Sequence, residues 1–153
     1  MDLLMSQPFT LHDITKLRRE VAERAERRGL HGVRLRDFVL AVHESIVNAV
    51  EHAGGHGHFK LWAGGGLVRA ETIDCGSGIR DGAIDGGRPP ELATSGRGMY
   101  LMRRLCDEAD FRTGPEGTRV VLTMHLPHGP DAHRGMRRIR VRAGHRPQCR
   151  FTA

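Results

Sequence analysis

The strongest constraint on the fold is one apolar stripe. Leu35, Phe38, Val39, Val42, Ile46, Ala49 and Ala53 recur at helical spacing, which predicts a helix from about Leu35 to Ala53, ended by Gly54-Gly55. A helix with a single apolar face must bury it against a second layer. Upstream, Ile14, Leu17, Val21 and Ala25 predict another helix. Thr10 and Asp13 can open it, since their short side-chain oxygens can accept free backbone N–H groups, and Gly29 stops it after Arg27-Arg28. Gln7–Leu11 reads as a short opening strand or extended arm. After the long stripe the period changes. His58–Trp62 and Leu67–Ile73 alternate or run apolar around Gly64-Gly65-Gly66, which predicts a β-hairpin. Met99, Met102, Leu105 and Cys106 predict a third helix, and Ala109–Arg112 and Arg119–Leu126 predict two strands joined by a turn at Gly114–Gly117. Gly76–Gly98 is rich in Gly, Pro, Asp and Ser and too long for an ordinary connection, so it is expected to be a functional loop.

Charge divides the chain. Of 153 residues, those up to 126 hold 17 Lys+Arg and 17 Asp+Glu, whereas 127–153 hold seven Arg and one Asp, so the whole net charge of +6 lies in the tail. The expected organisation is one domain over 1–127 and a basic tail over 128–153, read as solvated and disordered because periodicity fails after Pro127. Arg137-Arg138-Ile139-Arg140-Val141-Arg142 leaves open a nucleic-acid-binding protein that acts through this tail. The body argues against that class, since seven aromatics in the whole chain give no basic–aromatic interleaving outside the tail. No apolar run is long enough to span a membrane, and no basic region followed by an apolar stretch marks a secretory signal. Cys75, Cys106 and Cys149 are few, odd in number and widely spaced, which argues against a disulfide scaffold or a CxxC zinc site and makes the cytoplasm the simplest home. His52, His56 and His58 are read as members of a helix end, a loop and a strand start rather than as a metal site.

Several motifs fail. Neither Lys16 nor Lys60 follows a Gly, so there is no P-loop. His43-Glu44 is followed by Ser45, Ile46 and Val47, so there is no His-Glu-x-x-His. The third Gly of a dinucleotide fingerprint would fall on Asp81. Four pieces remain. In Glu44-Ser45-Ile46-Val47-Asn48-Ala49-Val50-Glu51-His52, Glu44 and Asn48 lie one helical turn apart and off the apolar stripe. A carboxylate and an amide oxygen so placed suit a hydrated Mg²⁺, though a solvated helix face has the same pattern. Asp74-Cys75-Gly76-Ser77-Gly78 follows an apolar strand; the Asp can accept from an exocyclic amine, and Gly76 and Gly78 allow a tight turn against a flat ring. Ser95-Gly96-Arg97-Gly98-Met99 opens a helix, where free N–H groups and the positive dipole end favour phosphate. Gly117-Thr118-Arg119-Val120-Val121-Leu122 is a turn entering a strand.

The order and spacing of the four are far more specific than any one. Together they resemble the GHKL ATPase superfamily, with its N box and three glycine boxes, and within it most closely the anti-sigma-factor serine kinases of bacterial regulatory switches, over residues 8–127. The resemblance implies an α/β two-layer sandwich, helices on one face of a mixed, mostly antiparallel sheet, with ATP between the helices and a lid at Arg80–Ser95. It implies ATP and Mg²⁺ as cofactors. Asn48 would hold Mg²⁺, and Glu44 would be the general base. Asp74 would read the adenine amine, with Gly76 and Gly78 lining the ring. Gly96, Arg97, Gly98 and Met99, with Thr118, would meet the phosphates or the ring edge. Arg18 falls where such kinases carry an Arg that touches protein partners. The implied partners are a sigma factor and an antagonist protein phosphorylated on serine; a homodimer is left open. The lid is short, with Arg88-Pro89-Pro90, and Ala93-Thr94 stands where some relatives carry a basic residue. A non-catalytic ATP-binding module that sequesters a partner is the alternative.

Overall fold

The computed structural model describes residues 1–52, 54–76, 97–127 and 138–143. Strand β1 (Asp2–Thr10) leads through a single 3₁₀ turn at Leu11–Asp13 into α1 (Ile14–Arg27) and α2 (Gly32–His52). A hairpin follows, β2 (His56–Gly64) and β3 (Leu67–Asp74), then α3 (Arg97–Leu105), a second hairpin of β4 (Glu108–Gly114) and β5 (Gly117–His125), and a last strand β6 (Arg138–Ala143). The six strands form one mixed sheet in the order β1-β2-β3-β5-β4-β6. All pairings are antiparallel except β4 with β6. The fold is thus the expected two-layer α/β arrangement, with three helices packed against a mixed sheet.

The periodicities account for the layers. Leu17, Val21 and Ala25 of α1 and Phe38, Ala41, Val42, Ile46 and Ala49 of α2 are buried. They meet Phe59, Leu61, Ala63, Val68, Ala70, Phe111, Leu122 and Met124, which alternate along the strands, in one core. At the start of α1 the Asp13 carboxylate reaches back to accept the Thr10 backbone N–H at 2.8 Å, so it does not form the expected cap on a free N–H of α1. Gly29 follows α1 with φ +104°, a left-handed conformation that a side chain would strain. The N-terminal end of α2 is pinned by Arg34, whose guanidinium pairs with Asp107 and donates to the His125 carbonyl at 2.8 Å.

The elements differ from expectation at both ends of the chain. The opening strand runs back to Asp2, with a register shift between Leu3 and Met5 where Arg24 donates to the Leu4 carbonyl. The basic tail contributes β6, parallel to β4 with Asp110 opposite Arg140 and Phe111 opposite Val141. The physical reason lies in the local alternation Arg138-Ile139-Arg140-Val141-Arg142-Ala143, a strand pattern whose apolar members adjoin the open edge of β4. Ile139 and Val141 stay about two-fifths exposed, so this strand adds little to the core. Cysteine chemistry differs too: Cys106 is a buried free thiol, whereas Cys75 is disulfide-bonded. Among the described residues no helix is long and apolar enough to cross a membrane.

Candidate functional site

The site gathers at one end of α2, where β3, β5 and the start of α3 converge. Because the apolar stripe of α2 faces the sheet, Glu44 and Asn48 are left half-buried toward α3. The start of α3 closes on them. A Cβ added at Gly98 would lie 2.9 Å from Glu44 Oε2 and 3.4 Å from both Asn48 Oδ1 and Nδ2. Gly98 is therefore the residue that lets the helix start approach the two polar side chains. Asn48 Nδ2 donates to Met99 Sδ at 3.3 Å, which turns the amide and leaves Oδ1 as its unused acceptor among the described residues. Met99 is buried beside it.

Burial pushes the Glu44 carboxyl above the usual carboxylate range; the Glu51 charge adds to the rise and the Arg18 charge opposes it. Arg18, an exposed residue of α1, lies near enough for its charge to act on both this carboxyl and His43. Burial lowers the pKa of His43, with a smaller contribution from the same guanidinium.

Asp74 ends β3 at the other side of the site. In the β3–β5 register it stands opposite Thr118. Its Oδ1 accepts the backbone N–H groups of Gly76 and Thr118, each at 3.1 Å. Burial raises its pKa, while these two hydrogen bonds and the nearby His52 pull it back. A buried carboxylate fixed by main-chain donors is a preorganised acceptor. Gly117 permits the arrangement: it holds φ +135°, and a Cβ there would overlap the Asp74 carbonyl. Thr118 is buried, and its hydroxyl lies 3.2 Å from that of Thr113.

The structure therefore brings Glu44, Asn48, Gly98 and Met99 together, and ties Asp74 to Gly76 and Thr118. Arg97 is the first residue of α3, an exposed position. Gly78, Gly96 and the lid expected at Arg80–Ser95 lie outside the described residues. Sequence reasoning did not single out Gly117 as a contact to Asp74, nor His52 as a charge beside it; the β3–β5 register supplies the first and the end of α2 the second. The first needed that pairing, although the left-handed demand on a Gly at a tight turn was a usable signal, and the second needed the packing of α2 on the sheet.

A buried carboxylate held by main-chain donors thus ends β3, and an amide oxygen stands beside a glycine-opened helix start. The chain belongs to the histidine kinase-like ATPase domain family, whose model matches residues 8–124. A comparison with curated proteins gives no match. Among solved structures it is similar to the RsbU and RsbW domains of Rv1364c from Mycobacterium tuberculosis, with 22% identity and a TM-score of 0.56 over 92% of this chain. At that identity the likeness is one of fold, and this chain spans 34% of that one.

Proposed function

We propose that this protein binds Mg²⁺·ATP between α2, α3 and the end of β3, and acts as an anti-sigma-factor regulator that phosphorylates a serine on an antagonist protein. The convergence of Glu44, Asn48 and Gly98 carries this reading. The residues fit the cofactor: the unused Asn48 Oδ1 suits a hard cation, and the space that a Cβ at Gly98 would fill suits a phosphate at a helix start. Mg²⁺·ATP, when bound, supplies the phosphoryl group and neutralises charge on it. The chain's own contributions are positional. Asn48 Oδ1 holds the cation, backbone N–H groups at the start of α3 donate to phosphate oxygens, and the Asp74 carboxylate accepts from the adenine amine. Glu44 takes the proton of the attacking serine hydroxyl, and its raised pKa brings it nearer the operating pH of a general base. Arg18 on α1, whose charge acts on Glu44, is the residue proposed to meet an acidic or polar partner surface.

The test is phosphoryl transfer to proteins captured with this one from its native host, read by mass spectrometry of phosphoserine. Glu44→Ala is expected to lower transfer by roughly 10²–10⁴-fold and to leave ATP affinity within a few-fold. If the wild-type protein transfers no phosphate to any antagonist it binds, the kinase reading falls and a sequestering ATP-binding module replaces it.

A further inference from the structure

We propose that Ser45 and Thr72 are positioning residues that set the spacing between the two halves of the nucleotide site; the inference rests on the nucleotide reading above. Among the described residues, Ser45 is the one polar side chain in the buried face of α2; its companions Phe38, Ala41, Val42, Ile46 and Ala49 are apolar. Its hydroxyl donates to the Val42 carbonyl at 2.7 Å and lies 2.8 Å from the Thr72 hydroxyl. A serine hydroxyl has a single hydrogen. That hydrogen is committed to Val42, so Thr72 donates to Ser45. The pair is directional, fully buried and shut off from water, with Ser45 at 2% and Thr72 at 3% exposure.

Its place in the chain gives it a job beyond packing. Ser45 follows Glu44 directly and precedes Asn48 by less than one turn, roughly 60–100° around the same helix from them, on its buried flank. Thr72 lies two residues before Asp74 on β3, so both point to the helix side of the sheet. The hydrogen bond therefore links the turn that carries the phosphate-end residues to the strand that carries the adenine-end residue. The apolar contacts around it are non-directional and tolerate sliding. A buried hydrogen bond fixes the helix at one height above the strand. A ligand that touches both ends must match that height, whereas a ligand that touches one end need not.

The test compares wild type, Thr72→Ser, Thr72→Val and the double variant Ser45→Ala/Thr72→Val, using titration calorimetry with Mg²⁺·ATP and with adenosine, and thermal melts. Removing both hydroxyls leaves neither partner unsatisfied, so the double variant should melt close to wild type. It should bind adenosine within about twofold of wild type and Mg²⁺·ATP roughly tenfold more weakly, the weight of one misaligned buried contact. Thr72→Ser keeps the donor and should bind Mg²⁺·ATP like wild type. The proposal is overturned if the double variant binds Mg²⁺·ATP like wild type, if adenosine is lost in equal measure, or if Thr72→Ser is as weak as Thr72→Val. A double variant that fails to fold makes the pair a stability element and also overturns it. A wild-type protein that binds neither ligand overturns the nucleotide reading and this inference with it.

Discussion

Substituting Gly98 by Ala should move stability and nucleotide affinity in opposite directions. Gly98 is the second residue of α3 and lies outside the positive-φ glycines, so its backbone suits any residue. Within a helix, Ala is favoured over Gly by about 0.8–1 kcal/mol. Against this stands one close contact. The new Cβ would sit 2.9 Å from Glu44 Oε2, about half an ångström or more inside ordinary contact so that the carboxylate must move, and 3.4 Å from the Asn48 amide. Both neighbours are ends of flexible side chains, and turning one aside costs of order 0.5–1 kcal/mol. The two terms nearly offset, so the variant should melt within a few degrees of wild type. Binding is different, because the methyl stands between α2 and the helix start where phosphate oxygens would need the room. Mg²⁺·ATP affinity should fall at least about tenfold, which is about 1.4 kcal/mol. Titration calorimetry paired with a thermal melt reads both quantities on one sample. Unchanged affinity in a folded Gly98→Ala protein would refute the placement of the phosphates, and a large loss of stability would refute the reading of α3.

Three further outcomes follow from the same geometry. Asp74→Asn replaces one acceptor oxygen by a donor, so ATP affinity should drop strongly while GTP affinity changes little; calorimetry with both nucleotides checks this. Glu44 must be deprotonated to act, so phosphoryl transfer should fall as pH drops through its raised pKa. Glu51→Gln removes a charge that helps raise it, so the acid limb of the rate profile should move to lower pH, whereas a limb that stays put or moves up contradicts the assignment. A chain ending at Pro127 loses β6, whose Ile139 and Val141 are largely outside the core, and keeps Cys75 only as a thiol, since Cys106 is free and no other cysteine remains. Asp74 is held by main-chain donors of the body, so the fold and ATP affinity should be kept; circular dichroism and calorimetry decide.

Much of this architecture is legible from periodicity, because the buried faces of α1 and α2 are long and regular. The stripe from Leu35 onward places Glu44 and Asn48 off the core, and the structure keeps them there. The Gly64-Gly65-Gly66 turn fixes the first hairpin, with Gly64 opposite Leu67. What the sequence hides is convergence. Nothing local says that Gly98 will approach two side chains about fifty residues earlier, or that the Thr118 N–H will reach Asp74; both depend on the packing of α3 on α2 and on the β3–β5 register. The strand β6 was concealed differently. Its alternation is present in Arg138–Ala143, but the charge of the tail outweighs three small apolar positions in any reading by hydropathy. Ser45 looks like an ordinary polar residue in a helix until Thr72 is seen against it.

The central claim is that α2, α3 and the end of β3 form one site for a nucleotide with its metal. It is tested most directly by titrating ATP into the wild-type protein and Asn48→Ala, each with Mg²⁺ and with EDTA. The account predicts that wild type binds ATP with Mg²⁺ and loses at least about tenfold in affinity when the metal is removed, while Asn48→Ala binds weakly and responds little to Mg²⁺. Wild-type binding that is indifferent to Mg²⁺, or an Asn48→Ala protein as tight and as metal-dependent as wild type, would contradict it.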